Sequence, residues 1–321
     1  MTNPAGKDIY DASAPLTDIL TAYFQEDDDF VSHKVFPNVV VPRQEGIYYE
    51  ISKSDFFRDG AQLRESGTPV ATGDYDVTSS TYACKRYDYG KLVNLEDKKN
   101  VQSPLDLKKQ AMLYLSMKLK IKREVLWNKK YFSTGLWTTD VEGNGVNFTS
   151  WSESTATPVK DVMDWKRTIK QLTGFKPNKI VFTSDVWDAF RTHANVTSML
   201  SSNSVKIIDR ATAAKLLELD EVLVSESIYN TAASGAVDAL SFIQGTEKAL
   251  LVYAAPRPMI MMPTAGYTFN WSLFASNNFG IAAKKMWYDQ KTEVDTYEAA
   301  MTIDQKLVSA DMGVHAYNIL T

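Results

Sequence analysis

The chain has little of what chemistry on a small molecule needs. One cysteine, Cys84, stands in 321 residues. A lone thiol closes no intrachain disulfide and builds no cysteine zinc site, so Cys84 is expected as a small apolar residue within a strand. The three histidines, His33, His193 and His315, are far apart and none has a second ligand at metal spacing, which points to surface or packing roles. There is no Walker loop, no G-x-G-x-x-G, no G-x-S-x-G elbow and no H-E-x-x-H. Gly143-Asn144-Gly145 opens like a dinucleotide loop but lacks the third glycine. No cofactor and no metal is expected. Carboxylate pairs such as Asp289 and Glu293 exist, but a chain with 39 acids offers many of them. This lack of a recognisable site counts against an enzyme. No apolar run reaches membrane-spanning length and the first thirty residues lack a basic-then-apolar leader, so no membrane partner is expected and a reducing cytoplasm is the expected place of synthesis.

What is present is aromatic surface and polarised charge. The 16 Tyr, 14 Phe and 7 Trp suit β-structure and large contact surfaces. The formal charge of −4 conceals an uneven chain. Residues 1–30 hold seven acids and one lysine, a net −6, with the run Glu26, Asp27, Asp28, Asp29 at their end. That run lacks the alternation and glycine of a calcium loop. Residues 85–130 hold thirteen bases and five acids, a net +8. The two regions are expected to attract each other within or between chains, or to be separate solvated faces. No helix-turn-helix, zinc finger or RNA-recognition signature accompanies the basic region, so contact with nucleic acid would be non-specific and salt-sensitive.

The longest helical signal runs from Ser103 to Phe132, with Ser103 as cap, Pro104 at the first position and Asp106 near the positive end of the dipole. A helix over 104–132 would be a rod of roughly 40 Å. Leu107, Tyr114, Met117, Ile121, Val125 and Phe132 fall on one side and are expected to face a core. Met112, Leu115, Leu119 and Leu126 form a second row, threaded by Lys108, Lys118, Lys122, Arg123, Lys129 and Lys130. The helix is either one face of an ordinary domain or a spine whose far side meets other subunits or nucleic acid.

Ahead of it, residues 1–30 read as an extended arm and Val35–Val41, broken by Pro37, as an edge strand. Residues 46–94 read as a long two-stranded hairpin with a polar tip and too little apolar surface to stand alone. After it come a helix from Thr157 to Gly174 with Pro158 at its first position, a strand Lys179–Thr183, a helix capped by Ser184, a helix over 209–219, strands at Glu221–Val224 and Ala249–Tyr253, and period-2 alternation over Tyr267–Leu273. From Ile281 onward β-prone segments recur. The class is α+β of mixed order rather than a βαβ repeat.

Five stretches resemble the major capsid proteins of tailed bacteriophages with the Hong Kong 97-like fold. They are KVFPNVVVP (Lys34–Pro42), FRDGAQLRESGTPV (Phe57–Val70), GFKPNKIVFTSDVWDAF (Gly174–Phe190), APRPMIMMPTAGYTFNWSLF (Ala255–Phe274) and MGVHAYNIL (Met312–Leu320). The similarity spans roughly residues 16–320.

The resemblance implies an N-terminal arm over 1–45 lying on a neighbouring subunit, and an extended loop over 46–95 reaching across the next one. It implies a peripheral domain from 96–176 and 283–321 carrying the spine helix, and an axial domain over 177–282 at five- and six-fold axes. Arg58, Asp59, Arg64 and Glu65 would make intersubunit salt bridges at the loop tip. The basic side of the spine, with Lys108, Lys118, Lys122, Arg123 and Lys129, would face the lumen or a neighbour. The implied function is an icosahedral head around phage double-stranded DNA. The implied partners are other copies in pentamers and hexamers, scaffolding, portal and decoration proteins, and packaged DNA held non-specifically. The implied place is the virion, assembled in the host cytoplasm. About 30 residues precede the fold, so a separate scaffold or none is expected rather than a long leader removed by a protease. Two other readings stand beside this one: a cellular nanocompartment of the same fold filled with protein, and a soluble enzyme or ligand-binding protein.

Overall fold

The computed structural model describes residues 25–51, 53–67, 69–100, 106–199, 208–257, 262–273, 280–283 and 287–321. Two β-sheets carry the chain, and one long helix lies across both. The first elements are β1 (Asn38–Val41), released by Pro37, and the antiparallel ribbon of β2 (Glu45–Ile51) and β3 (Val77–Ala83). Between the ribbon strands lie α1 (Lys53–Phe56) and the stretch 57–76. Then come β4 (Lys85–Asn94), α2 (Leu95–Asn100), α3 (Leu107–Tyr131) and β5 (Thr139–Glu142). The next part holds α4 (Pro158–Thr173), β6 (Lys179–Thr183), α5 (Ser184–Thr192), α6 (Ala194–Met199), α7 (Arg210–Leu216) and β7 (Glu221–Ser225). A short hairpin, β8 (Ile228–Asn230) and β9 (Leu240–Phe242), leads to β10 (Ala249–Val252) and β11 (Gly266–Trp271). The chain closes with β12 (Ile281–Ala283), β13 (Trp287–Asp289), β14 (Val294–Leu307) and β15 (Gly313–Tyr317).

One sheet has the order β5-β15-β10-β6-β7. Its strands alternate between two buried faces, as period-2 geometry requires of a sheet covered on both sides. Ile180, Phe182, Val222, Val224, Ala249 and Leu251 point to a core with α4, α5 and α7. Val181, Leu223, Leu250 and Val252 point to a second core holding Trp127, Tyr131 and Phe132 at the end of α3, with Val31, Val35 and Phe36. The helices on the first face are built locally. Pro158 starts α4 and Gly174, at φ 79°, ends it in the left-handed region that glycine adopts freely. After β5 the chain turns at Gly143, where a Cβ would come within 2.1 Å of the Asn318 carbonyl oxygen, so no other residue fits.

The other sheet is organised by β14, which pairs along its length with β4 on one side and with β11, β12 and β13 on the other. β1 adds to β11 in parallel at the edge, as the proline-broken segment led one to expect. Tyr297, Ala299, Met301 and Ile303 of β14 meet Leu115 and Leu119 of α3. The first sheet takes β5 and β15 from the stretches assigned above to the peripheral domain and β6, β7 and β10 from the axial one, while β11 lies in the sheet of β14.

Three expectations change. The spine helix begins at Leu107, and Asp106 caps it by accepting hydrogen bonds from the backbone N–H groups of Lys108 (3.0 Å) and Lys109 (3.1 Å). Ser103 and Pro104 lie outside the described residues. The fully buried stripe of α3 is Ala111, Leu115, Leu119, Arg123, Glu124, Trp127 and Tyr131. Of the row expected to face the core, Phe132 is buried, Leu107, Met117 and Ile121 pack on the core half-buried, and Tyr114 is exposed; Leu115 and Leu119 of the second row go deepest. Residues 75–93 are not one return strand. The chain breaks at Cys84, whose N–H donates to the Gln44 carbonyl at 2.9 Å; β3 stays with β2, and β4 departs to β14. Cys84 is therefore a buried joint between strands and not a strand residue. Trp127 sits where α3 meets the second core, with ring neighbours Tyr131 at 5.6 Å and Phe132 at 5.1 Å. Trp127→Ala should lower unfolding stability by about 3–5 kcal/mol, read from a urea midpoint. A wild-type midpoint would show that α3 is not the joint between the two sheets.

Candidate assembly surfaces

At the middle of α3 two adjacent charged residues are fully buried. The Glu124 carboxylate accepts hydrogen bonds from the backbone N–H groups of Val31 (3.2 Å) and Ser32 (3.0 Å) and from the Gln244 amide (2.5 Å). Burial pushes its pKa up, and these donors pull it back. One carboxylate thus fixes the entering chain and Gln244, two residues after β9, to the same turn of helix. Arg123 donates from Nη2 to Asn38 Oδ1 at 2.9 Å, and Asn38 Oδ1 also accepts from Asn270 Nδ2 at 3.3 Å. Burial lowers the guanidinium to about 10, against the pull of Glu124. Arg123 therefore does not belong to the exposed basic side on which the sequence placed it. It lies four residues beyond Leu119, in the same stripe that packs inward.

The acidic run is tied down on its own chain. Asp27 pairs with Lys120 of α3, and Asp28 accepts from Lys34 at 2.5 Å, which holds its carboxyl below the usual range. Gln25 makes a reciprocal pair with the backbone of Ile228, at 2.7 and 2.9 Å. Phe30, Val31, Val35 and Phe36 are buried. Within the stretch expected as an arm over 1–45, Phe30–Phe36 therefore pack on their own chain, and residues 1–24 lie outside the described residues. The acidic and basic regions do attract each other, within the chain.

The loop is different. Its base is anchored: Lys53 pairs with Asp311 and donates to the Leu172 carbonyl at 3.2 Å, and Phe57 lies against Gly174. Beyond the base it has no core. Leu63 is 100% exposed and Val70 61%, and Phe56 and Tyr75, each more than half exposed, lie 5.6 Å apart between ring centres. The ribbon adds Tyr49 at 75% and Ile47 at 60%. Arg58, Asp59, Arg64 and Glu65 are all exposed along this stretch. On α3, Lys108, Lys118, Lys122 and Lys129 are exposed as well. Among the described residues no group of His, Cys, Asp and Glu could hold a metal ion, and no helix is long and apolar enough to cross a membrane.

A model of the phage major capsid protein E family matches residues 145–241, the stretch from the turn before α4 to β9. Among solved structures the chain is similar to a phage-related protein from Bordetella bronchiseptica, with a TM-score of 0.69 and 18% identity over 92% of this chain and 94% of that one. It is also similar to the capsid of the cyanophage P-SCSP1u, with a TM-score of 0.58 and 8% identity over 99% and 96% of the two chains. A third is the SrpI encapsulin complex of Synechococcus elongatus, at 0.53 and 9% over 94% and 92%. No curated protein sequence matches. This is the Hong Kong 97-like capsid fold. The family match is confined to residues 145–241, and the solved structures share the fold.

A further exposed apolar feature was missed by sequence reasoning. The β8–β9 hairpin projects with Val237 92% exposed and Leu240 64%. Asn230 holds its ends together, accepting from the Ala232 and Ala239 N–H groups at 2.9 and 3.0 Å. The available signals were Ser234-Gly235 as a turn and the Leu240-Ser241-Phe242 alternation.

His193 and His315 pack against their own chain. His193 Nε2 lies 3.0 Å from the Glu153 carbonyl oxygen. His315 is buried beside Asp140 and Phe132. Burial lowers His33 and His315 each to about 4, with Asp140 opposing the shift at His315. The unfolded chain takes up these protons at the ordinary histidine pKa of about 6.5, before the folded chain does. The stability is therefore complete above pH 6.5 and is lost as pH falls toward 4. The urea midpoint should drop across that window, and His315→Gln should flatten the drop. An unchanged slope in the variant would exclude His315 as its source.

Proposed function

We propose that this chain is the major capsid protein of a tailed phage and builds the icosahedral head around double-stranded DNA. One observation carries the reading: on a capsid fold, the stretch 57–76 presents Leu63 and Val70 without a core of its own. A surface of that kind needs cover, and a neighbouring copy supplies it. The mechanism is repetition of area. Contacts of standard size, near ~1,600 Å² in total, multiply across a closed shell built from one chain.

In this reading the loop reaches across the next subunit, and Arg58, Asp59, Arg64 and Glu65 pair with its charges. The sheet of β14 with α3 forms the peripheral region, centred on 96–176 and 283–321. Residues 177–282, with the β8–β9 hairpin, turn toward the five- and six-fold axes of pentamers and hexamers. Assembly takes place in the host cytoplasm, with a portal and with scaffolding or decoration proteins where the shell uses them. The exposed lysines of α3 face the lumen.

Arg64→Glu should impair assembly much more than folding. Sedimentation velocity and negative-stain electron microscopy of the purified variant should show subunits with a wild-type circular dichroism spectrum and few closed shells. Shells at wild-type yield would remove Arg64 from the interface. A small, non-assembling wild-type protein, unchanged by crowding agents and by candidate scaffolds, would overturn the shell reading.

The likeness to the encapsulin complex supports a second reading, a cellular compartment that encloses protein. The contents of purified particles decide between the two. Nuclease-protected DNA supports the phage head, and a protein cargo without DNA supports the compartment.

A further inference from the structure

The odd-numbered residues of β4 face α3, because Val93 and Tyr87 pack in the core that Leu115 and Leu119 share. Between the two elements, at the edge of the sheet, runs a groove with walls of Tyr87, Tyr89, Lys118 and Lys122. Its cavity holds about 470 Å³. The lysine ammonium groups sit over its rings: Lys118 and Lys91 each 5.5 Å from the Tyr114 ring centre, and Lys122 5.5 Å from that of Tyr87. Tyr89 and Tyr114 are 6.1 Å apart. Among the described residues no ion pair joins Lys91, Lys118 or Lys122.

Lys85 on β4 and Lys130 on α3 extend the line to the far end, where the Asp304 carboxylate and Lys306 also lie near Lys130. From Lys118 to Lys130 the helix rises about 18 Å, and from Lys85 to Lys91 the strand rises about 20 Å. Along the whole of α3 the single acid is Glu124, which is buried. Asp88, the carboxylate at the groove, is taken by Arg86 at 2.7 Å. The acidic run of this chain is engaged elsewhere, by Lys34 and by Lys120.

We infer that the groove between β4 and α3 is a phosphate-backbone site, in which Lys85, Lys91, Lys118, Lys122 and Lys130 grip packaged DNA without reading its sequence. This rests on the phage-head reading and names the surface that meets the cargo. A row of lysines over some 18 Å, with the Asp304 carboxylate at its far end held by Lys306 at 3.5 Å, matches a strand that carries a phosphate every ~3.4 Å. Tyr87, Tyr89 and Tyr114 hold the lysine stems upright over their rings, so less freedom is lost when phosphate arrives. An acidic protein segment is the competing occupant. On an extended segment successive side chains point to opposite faces, so only every second charge would meet the groove.

The test uses the full chain. Fluorescence anisotropy with a labelled 20-base-pair duplex, titrated between 50 and 200 mM salt, compares the wild type with Lys91→Gln, Lys118→Gln and Lys122→Gln combined. The wild type should bind two unrelated sequences equally. The variant should bind at least tenfold more weakly at low salt, and its log–log salt slope should be shallower by about 2.7, from about 0.9 for each lost phosphate contact. Electron microscopy of the same samples separates the two claims. If unassembled subunits, whose groove is open to the duplex, do not bind it, or the variant binds as well as the wild type, while shells still form on assembly, the groove is not the DNA site and the shell reading stands. If neither protein forms shells under any assembly condition, the shell reading itself falls. Preference for polyglutamate over the duplex would reassign the groove to an acidic protein and overturn the proposal.

Discussion

The subunit depends on the burial of one side of α3 against two sheets at once. Leu115 and Leu119 close the core on β14, and Trp127, Tyr131 and Phe132 close the core on the other sheet. A helix of 25 residues is long enough to do both. Between the two apolar contacts the stripe passes through Arg123 and Glu124, and there the packing becomes polar. Leaving those charges buried and unpartnered would cost several kcal/mol, so the chain brings donors and acceptors to them: Val31, Ser32 and Gln244 to the acid, Asn38 to the base. Hydrophobic contact holds the helix on the sheets, while this polar centre sets which residues of the entering chain lie over it.

That arrangement explains why the acidic run ends as an internal clamp. Once Val31 and Ser32 are fixed on Glu124, Asp27 and Asp28 fall beside Lys120 and Lys34. These pairs are partly exposed and are worth little individually. The buried ring contacts of Phe36 with Tyr131, 4.7 Å apart, and the burial of Val35 carry the attachment. The subunit is therefore complete without neighbours over most of its length. The stretch 57–76 is the contrast. Its apolar side chains stay open because Lys53 and Phe57 secure only its base. A self-sufficient core beside an uncovered loop lets folding and assembly proceed as separate steps.

The sequence was most legible where the signals are local. Strand β6 falls on Lys179–Thr183 as read, and α4 runs between Pro158 and Gly174, because the proline, the glycine and the apolar periodicity all act within one element. The five family-like stretches, taken in order, led to the fold. The side of α3 that packs inward was only partly legible because apolar residues occur on both sides of it: Phe132 of the expected row is buried, whereas Tyr114 is exposed. Arg123 was misread because charged residues are seldom fully buried, and its partner Asn38 lies 85 residues away. The break at Cys84 was invisible for the same kind of reason. Tyr75–Val93 is β-prone throughout, and only the distant β14 decides where pairing with β2 must stop.

The side of α3 away from the cores is also set by this geometry. Once Leu115, Leu119 and Arg123 point inward, a helix of 3.6 residues per turn must divide its lysines. Lys120 falls toward the acidic run and is neutralised there. Lys118 and Lys122, two residues to either side, fall toward β4 and the tyrosines. The same helix thus has a satisfied charge on one flank and an open row of charge on the other. Uniform positive charge along one flank repels itself, at a cost to the free subunit that a negatively charged cargo would relieve. The charge pattern of the spine is therefore better explained by contact with a polyanion than by the stability of the subunit alone.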